Sequence, residues 1–401
     1  MIPNEALKAL NKTIAPGLAE TITKLFQWGE LPAILKESTT VVLRKNKKRD
    51  YSLPSSYRPI ALENTVAKVI EKIIANRMIT VAEERGLIPW NQMGARKKRS
   101  TLSALELLTG SIQTAWQAKK PVVSVLGLDL AGAYDNISHQ RLLWVLRRMG
   151  YPEWIVKVVE SFLMGWRTRL SFSDYESCWF DTETGIPQDL TLSLALFIFF
   201  ISDLLQQFQE VKDNVLGFGF VDDTTLVTWG DSAESNCKRL TTAHDKCMGW
   251  AKRFGARFAP DKYQIIHFTK KRKVTAGLQS TIRIQGHEAE LVPSLRVLRV
   301  WLDLTLSWKD HILMATQKGI KAFESLTRVI SSVWGPSVQK SRLLYTAVAY
   351  PIMTYGFQIW TINDKGGPVS QARINAIATT QNKCFRKIME AYKRTPIVAI
   401  E

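Results

Sequence analysis

The sequence predicts an α+β protein of 401 residues. Two apolar strand patterns support the β part of this prediction, one over residues 122–129 and one in a hairpin at 217–227. Long stretches elsewhere repeat apolar residues every three or four positions, as amphipathic helices do. The hydrophobic fraction of 46% and the charged fraction of 22% are those of an ordinary folded protein.

The N-terminal part is predicted to be mainly helical. Two short helices are expected at 5–10 and 18–28, interrupted at Pro16-Gly17. The β-branched run 39–43 then predicts a strand. A long helix follows that contains 66–74, and another is expected from the N-cap Ser100 to about Lys119.

The central part combines strands with buried helices. The near-continuous apolar run 122–129 predicts a strand that ends on Asp129. Helices are expected from about His139 to Met149 and from near Trp154, and short strands at 170–172 and 178–180 are expected to pair. The apolar run 190–201 is too short to span a bilayer and predicts a buried helix.

The C-terminal part returns to helices. A helix is predicted at 237–254 and strands at 263–268 and 298–302. From about His311 the pattern is helical and aromatic, with a Gly366-Gly367-Pro368 linker before the last helix.

The charge balance is unusual. Fifty-four Lys and Arg against 36 Asp and Glu give a net charge of +18, and basic residues cluster at 44–49, 96–99 and 270–273. Such an excess favours a polyanionic partner such as nucleic acid, although each cluster alone also fits a solvated loop or a localisation signal. The four cysteines have no zinc spacing and no close pair, which indicates a reducing compartment.

Acidic residues stand at the ends of two predicted strands, Asp129 after one and Asp222-Asp223 in the turn of the hairpin. If both strands belong to one sheet, these acids can share a pair of Mg²⁺ ions, an arrangement suited to phosphoryl transfer. Because successive strand residues point to opposite faces, we expect Asp222 to be the bridging ligand and Asp223 the peripheral one. The alternative is an acidic surface turn and an unrelated strand-end acid.

An ordered set of motifs resembles the reverse transcriptases of non-LTR (LINE-type) retrotransposons, most closely those of fungal elements. The similarity covers almost the entire chain. The matching segments are Tyr57-Arg58-Pro59-Ile60, Met93-Gly94-Ala95-Arg96 with Arg99-Ser100-Thr101, Asp129 with Ala133-Tyr134-Asp135, Gly185-Ile186-Pro187-Gln188, Phe220-Val221-Asp222-Asp223, Ala259-Pro260-Asp261-Lys262, Trp301-Leu302-Asp303, Tyr350-Pro351-Ile352-Met353-Thr354-Tyr355-Gly356 and Gln381-Asn382-Lys383-Cys384.

The resemblance implies a right-hand polymerase fold, with an antiparallel palm sheet packed on helices and a helical thumb. Residues 1–120 correspond to an N-terminal extension and fingers, 121–303 to the palm with inserted fingers segments, and 304–401 to the thumb. It implies an RNA template, a DNA primer, dNTP substrates and two Mg²⁺ ions, with Mn²⁺ as an alternative. It also implies nuclear action after cytoplasmic synthesis and RNA binding, and no membrane partner; the oligomeric state is left open.

The resemblance also assigns roles to individual residues. It makes Asp129, Asp222 and Asp223 the metal ligands. It makes Tyr134 a steric gate against the ribose 2′-hydroxyl, although a core tyrosine is the alternative, and it makes Lys262 the general acid for the leaving pyrophosphate.

Further roles concern substrate binding. Lys45 and Arg58 are expected to grip the incoming triphosphate together with Gln188 at the nucleotide, although Lys47 and Lys48 lie close to Lys45. Arg96 and Arg99 are expected to contact template phosphates.

Two places depart from the family pattern. After Gln188 the family has Gly-Ser and, a little further on, Ser-Pro, whereas this chain has Asp189-Leu190 and Ser193-Leu194. Asp189 adds a charge near phosphates, unless it serves as a helix N-cap or as an extra metal ligand. Arg299 replaces a glycine in the primer-grip region.

These departures support an alternative in which the chain is an impaired relic that retains only RNA or primer–template binding. A domesticated scaffold is a third reading, which the retained acids disfavour. The family's endonuclease and RNase H regions have no counterpart in these residues, so we expect a truncated copy or a polymerase fragment.

Overall fold

A computed structural model describes residues 4–45, 50–188, 190–212, 214–270, 276–327, 336–361 and 371–400. The predictions for Asp189, for the Gly366-Gly367-Pro368 linker and for most of the clusters at 44–49 and 270–273 therefore lie outside the described residues. The helices are α1 Asn4–Ala9, α2 Asn11–Trp28, α3 Thr65–Glu84, α4 Thr101–Gln117, α5 His139–Arg148, α6 Glu153–Leu163, α7 Thr191–Gln206, α8 Ala233–Phe254, α9 Lys309–Thr327, α10 Val338–Leu344, α11 Tyr350–Thr354, α12 Phe357–Trp360 and α13 Gln371–Ile388.

The strands are short and fall into several sheets. They are β1 Glu37–Arg44, β2 Tyr57–Glu63, β3 Val122–Leu128, β4 Trp166–Phe172, β5 Tyr175–Glu176, β6 Phe180–Thr182, β7 Val215–Phe220, β8 Asp223–Gly230, β9 Gln264–Thr269, β10 Arg283–Ile284, β11 His287–Glu288, β12 Glu290–Leu291, β13 Ser294–Val297 and β14 Val300–Asp303. One five-stranded sheet has the order β2-β1-β4-β5, with β6 also paired to β4.

The strands that precede or carry the candidate acids belong to a second sheet, with the order β12-β9-β3-β8-β7. Asp129 directly follows β3, and a two-residue turn joins β7 to β8. At one edge β12 pairs in parallel with β9, so the sheet is mixed there rather than antiparallel throughout. A parallel return needs a long connection, and the β10–β11 hairpin supplies it.

By its internal contacts the chain divides into two compact units. Unit 1 comprises Met1–Arg99, Gly127–Leu226 and Thr241–Tyr263, and unit 2 comprises Ser100–Leu126, Val227–Leu240 and Gln264–Glu401. All candidate site residues named above lie in unit 1. The three-part division at 120 and 303 stays a prediction.

Helix α7 forms the centre of unit 1. Almost every residue of α7 is buried, because its sequence is apolar on all sides, and it packs against α3 and α5. In unit 2, Phe323 on α9 joins a buried cluster with Tyr345, Met353 and Cys384. Among the described helices, none combines the length and the apolar composition needed to cross a bilayer.

Most predicted elements form, with three differences. Helix α2 continues through Pro16, its sixth residue, where proline removes only the one backbone hydrogen bond that its own nitrogen would donate. The pairing of 170–172 with 178–180 is wrong, because β6 pairs further along β4, with Trp166 opposite Thr182. The strand expected at 298–302 begins only at Val300, because the chain turns at Leu298 and Arg299.

Candidate active site

Asp129 is held by the segment that carries Lys262. Ala259 donates a backbone hydrogen bond to the carbonyl of Asp129 at 2.9 Å, and Ala131 donates to the carbonyl of Arg257 at the same distance. This short antiparallel pairing places the 3₁₀ turn Pro260–Lys262 beside the end of β3. The Nζ of Lys262 lies 2.7 Å from Oδ2 of Asp129.

This ion pair faces solvent, with side-chain exposures of 58% for Lys262 and 45% for Asp129. An ion pair this exposed contributes at most about 1 kcal/mol to stability, so it has little structural value. It does show that the site accommodates a cation against Asp129. The structure therefore brings two predicted catalytic residues together.

The turn with the acidic pair is conformationally strained. Val221, the first of the two turn residues, has φ of +61°, which is rare for a β-branched side chain. Such a conformation persists only where surrounding contacts impose it. The segment 91–94 supplies those contacts.

Residues 91–94 run along the open edge of β7. Met93 donates its backbone N–H to the carbonyl of Gly219 at 2.8 Å, and Oε1 of Gln92 accepts from the backbone N–H groups of Gly94 and Val221. A Cβ on Gly94 would lie 2.5 Å from the backbone nitrogen of Val221. Only glycine allows this approach.

Gln92 and its neighbour Asn91 are positioning residues that sequence reasoning missed. Both are fully buried, and the amide of Asn91 donates to the carbonyls of Leu205 and Gly217. The available signal was their position immediately before the Met93-Gly94 motif. Two adjacent amides in an apolar setting indicate buried backbone groups that need partners.

Asp223 reports the electrostatics of the acidic cluster. Although the residue has exposed surface, the protein around its carboxyl excludes water, and this desolvation is the main cause that raises its pKa to about 6. The negative charges of Asp222 and Asp129 add to the shift. The charges of Asp129 and Asp222 thus act on Asp223, as expected for acids that share a site.

These carboxylates suit a divalent cation. Asp129 and Asp222 have solvent-exposed surface, and a bound Mg²⁺ keeps several waters and binds substrate phosphates as well as protein carboxylates. In the part of the chain that the structure describes, no three acidic, histidine or cysteine side chains enclose an ion by themselves. The acids therefore fit a metal that binds together with substrate rather than a closed protein cage.

Tyr134 follows Asp129 by five residues, and its ring is stacked on Phe197 of α7. The ring centroids are 5.0 Å apart and the planes differ by 22°. Phe197 is buried, so α7 fixes one face of the Tyr134 ring. The tyrosine residue itself is only partly buried.

Gln188 lies in a turn that packs directly on the Tyr134 segment. Ile186 donates to the carbonyl of Tyr134 at 2.9 Å, and a Cβ on Gly185 would lie 2.5 Å from the carbonyl oxygen of Asp135. Gly185 also has φ of +73°, which favours glycine. Gln188 lines a cavity of 230 Å³ beside this turn.

Lys45 and Arg58 lie at the same end of the β1–β2 hairpin. Arg58 pairs with Leu43 in the antiparallel register and is exposed. Lys45 follows β1 and donates its backbone N–H to the carbonyl of Ser56 at 2.8 Å. The structure brings the two residues close along the hairpin, and their grip on a triphosphate stays a prediction.

The expected template contact is not supported for Arg96. Its guanidinium donates to both carboxylate oxygens of Glu83 and to the carbonyls of Pro89 and Gln92, and only 6% of its side chain is exposed. The same contact lowers the pKa of Glu83. Arg96 therefore anchors the segment that holds the catalytic turn.

Arg99 remains a candidate for template contact. It is partly buried and donates to the carbonyl of Trp90 at 2.8 Å. Its other guanidinium nitrogen atoms have no hydrogen bond to a described protein group.

Residues 43–292 match the family Reverse transcriptase (RNA-dependent DNA polymerase). The match covers more than half of the chain. The chain belongs to the reverse transcriptase family. This domain has the right-hand polymerase fold, in agreement with the fold that the motifs imply.

The relatives are proteins of non-LTR retrotransposons. The RNA-directed DNA polymerase from mobile element jockey of Drosophila melanogaster is 25% identical over 98% of this chain and 42% of its own length. The Pol polyprotein from type-1 retrotransposable element R1 of Bradysia coprophila is 22% identical over 90% of this chain and 34% of its own length. This chain thus spans less than half the length of these curated relatives.

Among solved structures, telomerase from Candida albicans with a fragment of telomeric RNA is similar. The identity is 13%, the TM-score is 0.46, and the alignment covers 93% of this chain and 66% of the telomerase chain.

The departure at Arg299 is accommodated in the backbone. Leu298 and Arg299 form the β13–β14 turn with φ of +45° and +73°, and Val297 and Val300 still pair. A side chain in this left-handed region costs roughly 1–2 kcal/mol, which explains why the family pattern has glycine at this position. The departure strains the turn without abolishing the hairpin.

Proposed function

We propose that this chain extends a DNA primer on an RNA template by two-metal nucleotidyl transfer. The observation that carries the proposal is the cluster of Asp129, Asp222 and Asp223. Burial and the charges of the other two acids raise the pKa of Asp223. The ammonium of Lys262 contacts Asp129. Two Mg²⁺ ions held by these acids, or Mn²⁺ as an alternative, would supply Lewis-acid stabilisation of phosphate charge.

The protein residues perform the remaining steps. Lys45 and Arg58 hold the triphosphate, with Gln188 at the nucleotide, and the ring of Tyr134 excludes a ribose 2′-hydroxyl. The primer 3′-hydroxyl releases its proton to water and its oxygen bonds to the α-phosphorus, as the bond from that phosphorus to the pyrophosphate breaks. Lys262 lies beside the acids and donates a proton to the leaving pyrophosphate.

The wider setting rests on the resemblance of the motifs alone. We propose that the chain acts in the nucleus on RNA bound in the cytoplasm, and that its element is of fungal type. Arg99 contributes a template contact. These proposals depend on the polymerase activity and are secondary to it.

Primer extension tests the proposal directly. Purified protein is supplied with poly(rA)/oligo(dT), dTTP and Mg²⁺, and Asp222→Asn serves as the matched inactive control. We expect synthesis by the wild type that this control loses. Synthesis that survives Asp222→Asn would mean that another enzyme or another site is responsible.

An impaired relic is the second candidate, which the strained Leu298–Arg299 turn favours. In that case the wild type shows no primer extension. The double variant with Asp189→Gly and Leu190→Ser, or the triple variant that adds Arg299→Gly, should then restore some synthesis. Binding of RNA by the silent protein should weaken steeply with salt, because phosphate contacts release counterions. Weak salt dependence would argue against retained RNA binding.

A further inference from the structure

Unit 1 contains a second group of acids, remote in sequence from the catalytic strands. Glu63 ends β2, and Glu71 lies on α3, seven residues after the helix N-cap Asn64. Seven residues are about two helical turns, so Glu71 lies on the same side of α3 as its N-cap. Glu63 is 1% exposed and Glu71 is 3% exposed. Buried carboxyls are costly, so their retention calls for a specific explanation.

Glu71 supplies the hydrogen-bond acceptor that the N-terminus of α7 lacks. Leu190 stands at the N-cap of α7 and has no side-chain acceptor for the first backbone N–H groups. Oε2 of Glu71 accepts the backbone N–H of Leu192 at 3.1 Å. A carboxylate at this position also interacts favourably with the helix dipole. An acid on α3 therefore caps α7 from outside.

Glu63 is in the opposite situation. In the described structure neither oxygen of its carboxyl accepts a hydrogen bond from an N–H or hydroxyl group, and the polar group within hydrogen-bond reach is the carboxyl of Glu71. Burial, and then the neighbouring Glu71, raise its pKa to about 9, while Lys68 on α3 acts weakly in the other direction. Burial also raises the pKa of Glu71, but the N–H groups of α7 and Lys68 oppose that shift.

The start of α7 controls the nucleotide side of the site. It directly follows the turn that contains Gln188, and two turns further on α7 carries Phe197, which supports the ring of Tyr134. A displacement of the first turn of α7 would therefore move both Gln188 and Tyr134. Because α3 packs along α7, Glu71 is well placed to prevent it.

We propose that Glu63 and Glu71 form a buried carboxyl pair with a single negative charge, carried by Glu71, which fixes the first turn of α7 and thereby positions Gln188 and Tyr134. Both are positioning residues, since neither is placed at the substrate. Glu63 remains protonated and allows the charge on Glu71 to persist in a buried setting. The functional part of this inference rests on the proposed polymerase activity.

A rise in pH should weaken the cap that this pair forms on α7. When Glu63 ionises, two negative charges face each other, with Lys68 as the charged group on α3 that acts on both. The helix terminus on α7 favours only the charge on Glu71. The cap is then weakened, and nucleotide binding deteriorates with it.

Infrared spectroscopy tests the charge assignment without any need for polymerase activity. We expect the wild type at pH 7.5 to show the carbonyl band of a protonated carboxyl, and we expect Glu63→Gln to lack it. If the band persists in Glu63→Gln or is missing from the wild type, the assignment is overturned. A silent polymerase leaves this measurement unaffected, so the two proposals fail separately.

Kinetics test the positioning role. In primer extension at pH 7.5, Glu63→Gln should keep the wild-type KM for dTTP, because glutamine replaces a neutral acid. Glu71→Gln should raise that KM about tenfold with a smaller change in kcat, and Glu71→Asp should recover part of the loss. Between pH 7.5 and 9.5, KM should rise in the wild type more than in Glu63→Gln.

Two results would refute positioning by this pair. One is an equal rise of KM with pH in Glu63→Gln and in the wild type. The other is an increase in KM for dTTP in Glu63→Gln that is as large as the increase in Glu71→Gln. If Glu71→Gln does not fold, the comparison of the wild type with Glu63→Gln still decides, because it does not involve that variant.

Discussion

The two groups of acids in unit 1 differ in their exposure to water, and this difference separates their chemistry. Asp129, Asp222 and Asp223 stand at strand ends with accessible oxygens, and Lys262 supplies a cation at 2.7 Å. Glu63 and Glu71 lie between β2, α3 and α7 with almost no exposure. Burial is the main cause that raises the pKa, to about 6 for Asp223 and to about 9 for Glu63, and the neighbouring acids add to both shifts.

At neutral pH the first group is therefore available to cations and the second holds a proton. A carboxylate can serve a metal only if it is ionised when the metal arrives. Burial raises the pKa of Asp223 only to about 6, whereas the low-dielectric setting of Glu63 raises its pKa to about 9 and makes a proton its favoured counterion. The local environment, rather than the residue type, thus assigns the role.

The largest effect should come from Asp222→Asn, which removes one charge from the exposed group. We expect a loss of primer extension on the order of 10³-fold, since several kcal/mol of charge stabilisation disappear. Stability should stay within about 0.5 kcal/mol, because the residue is exposed. Steady-state extension and thermal melts measure both, with Asp174→Asn in the exposed β4–β5 turn as the matched control.

Lys262→Met should have the next largest effect. Loss of a general acid typically costs about 10²-fold in rate, so we expect kcat to fall to that extent. Thermal stability should change by less than about 1 kcal/mol, because the pair with Asp129 is solvent-exposed. An unchanged kcat would remove Lys262 from the mechanism and leave it only as a partner of Asp129.

The charge state of the buried pair Glu63 and Glu71 should appear in the pH dependence of the free energy of unfolding. The pKa of Glu63 is raised to about 9 in the folded protein. Above the ordinary pKa of a glutamate, the folded protein therefore keeps a proton that the unfolded chain has released. The free energy of unfolding is thus greatest below the pKa that Glu63 has in the unfolded chain, and it falls as pH rises towards about 9. Between pH 6 and 8, wild type should lose about 2 kcal/mol more than Glu63→Gln.

Chemical denaturation of both proteins across this pH range measures the difference. Glu288→Gln, an exposed acid on β11, is a suitable control and should keep the wild-type slope. Parallel pH profiles for wild type and Glu63→Gln would show that Glu63 is ionised in the folded protein.

Gly94→Ala should destabilise the fold by about 1–2 kcal/mol, because its Cβ would meet the backbone nitrogen of Val221 at 2.5 Å. Since the catalytic turn must shift, primer extension should also decline. Gly110→Ala in α4, where a Cβ meets nothing within 4 Å, should instead stabilise by about 0.5–1 kcal/mol. Equal melting curves for both variants would mean that the turn tolerates displacement.

Most elements of the fold were predictable because their signals are local. The apolar run at 122–129 and the N-cap Ser100 each specify structure within a few residues, and β3 and α4 form as expected. The shifted pairing of β6 was not predictable, because register depends on which strand faces it. The continuation of α2 through Pro16 likewise depends on where that helix begins.

In the candidate site, the sequence by itself determined the chemistry: three acids at strand ends, a tyrosine, a lysine and a glycine-rich set of turns. Only the tertiary structure decided that Arg96 binds Glu83, that Gln92 holds Val221, and that Glu71 caps α7. The physical reason is that donors, acceptors and burial are shared between segments far apart in the chain. A motif specifies which groups are present, and packing specifies which of them remain ionised and accessible.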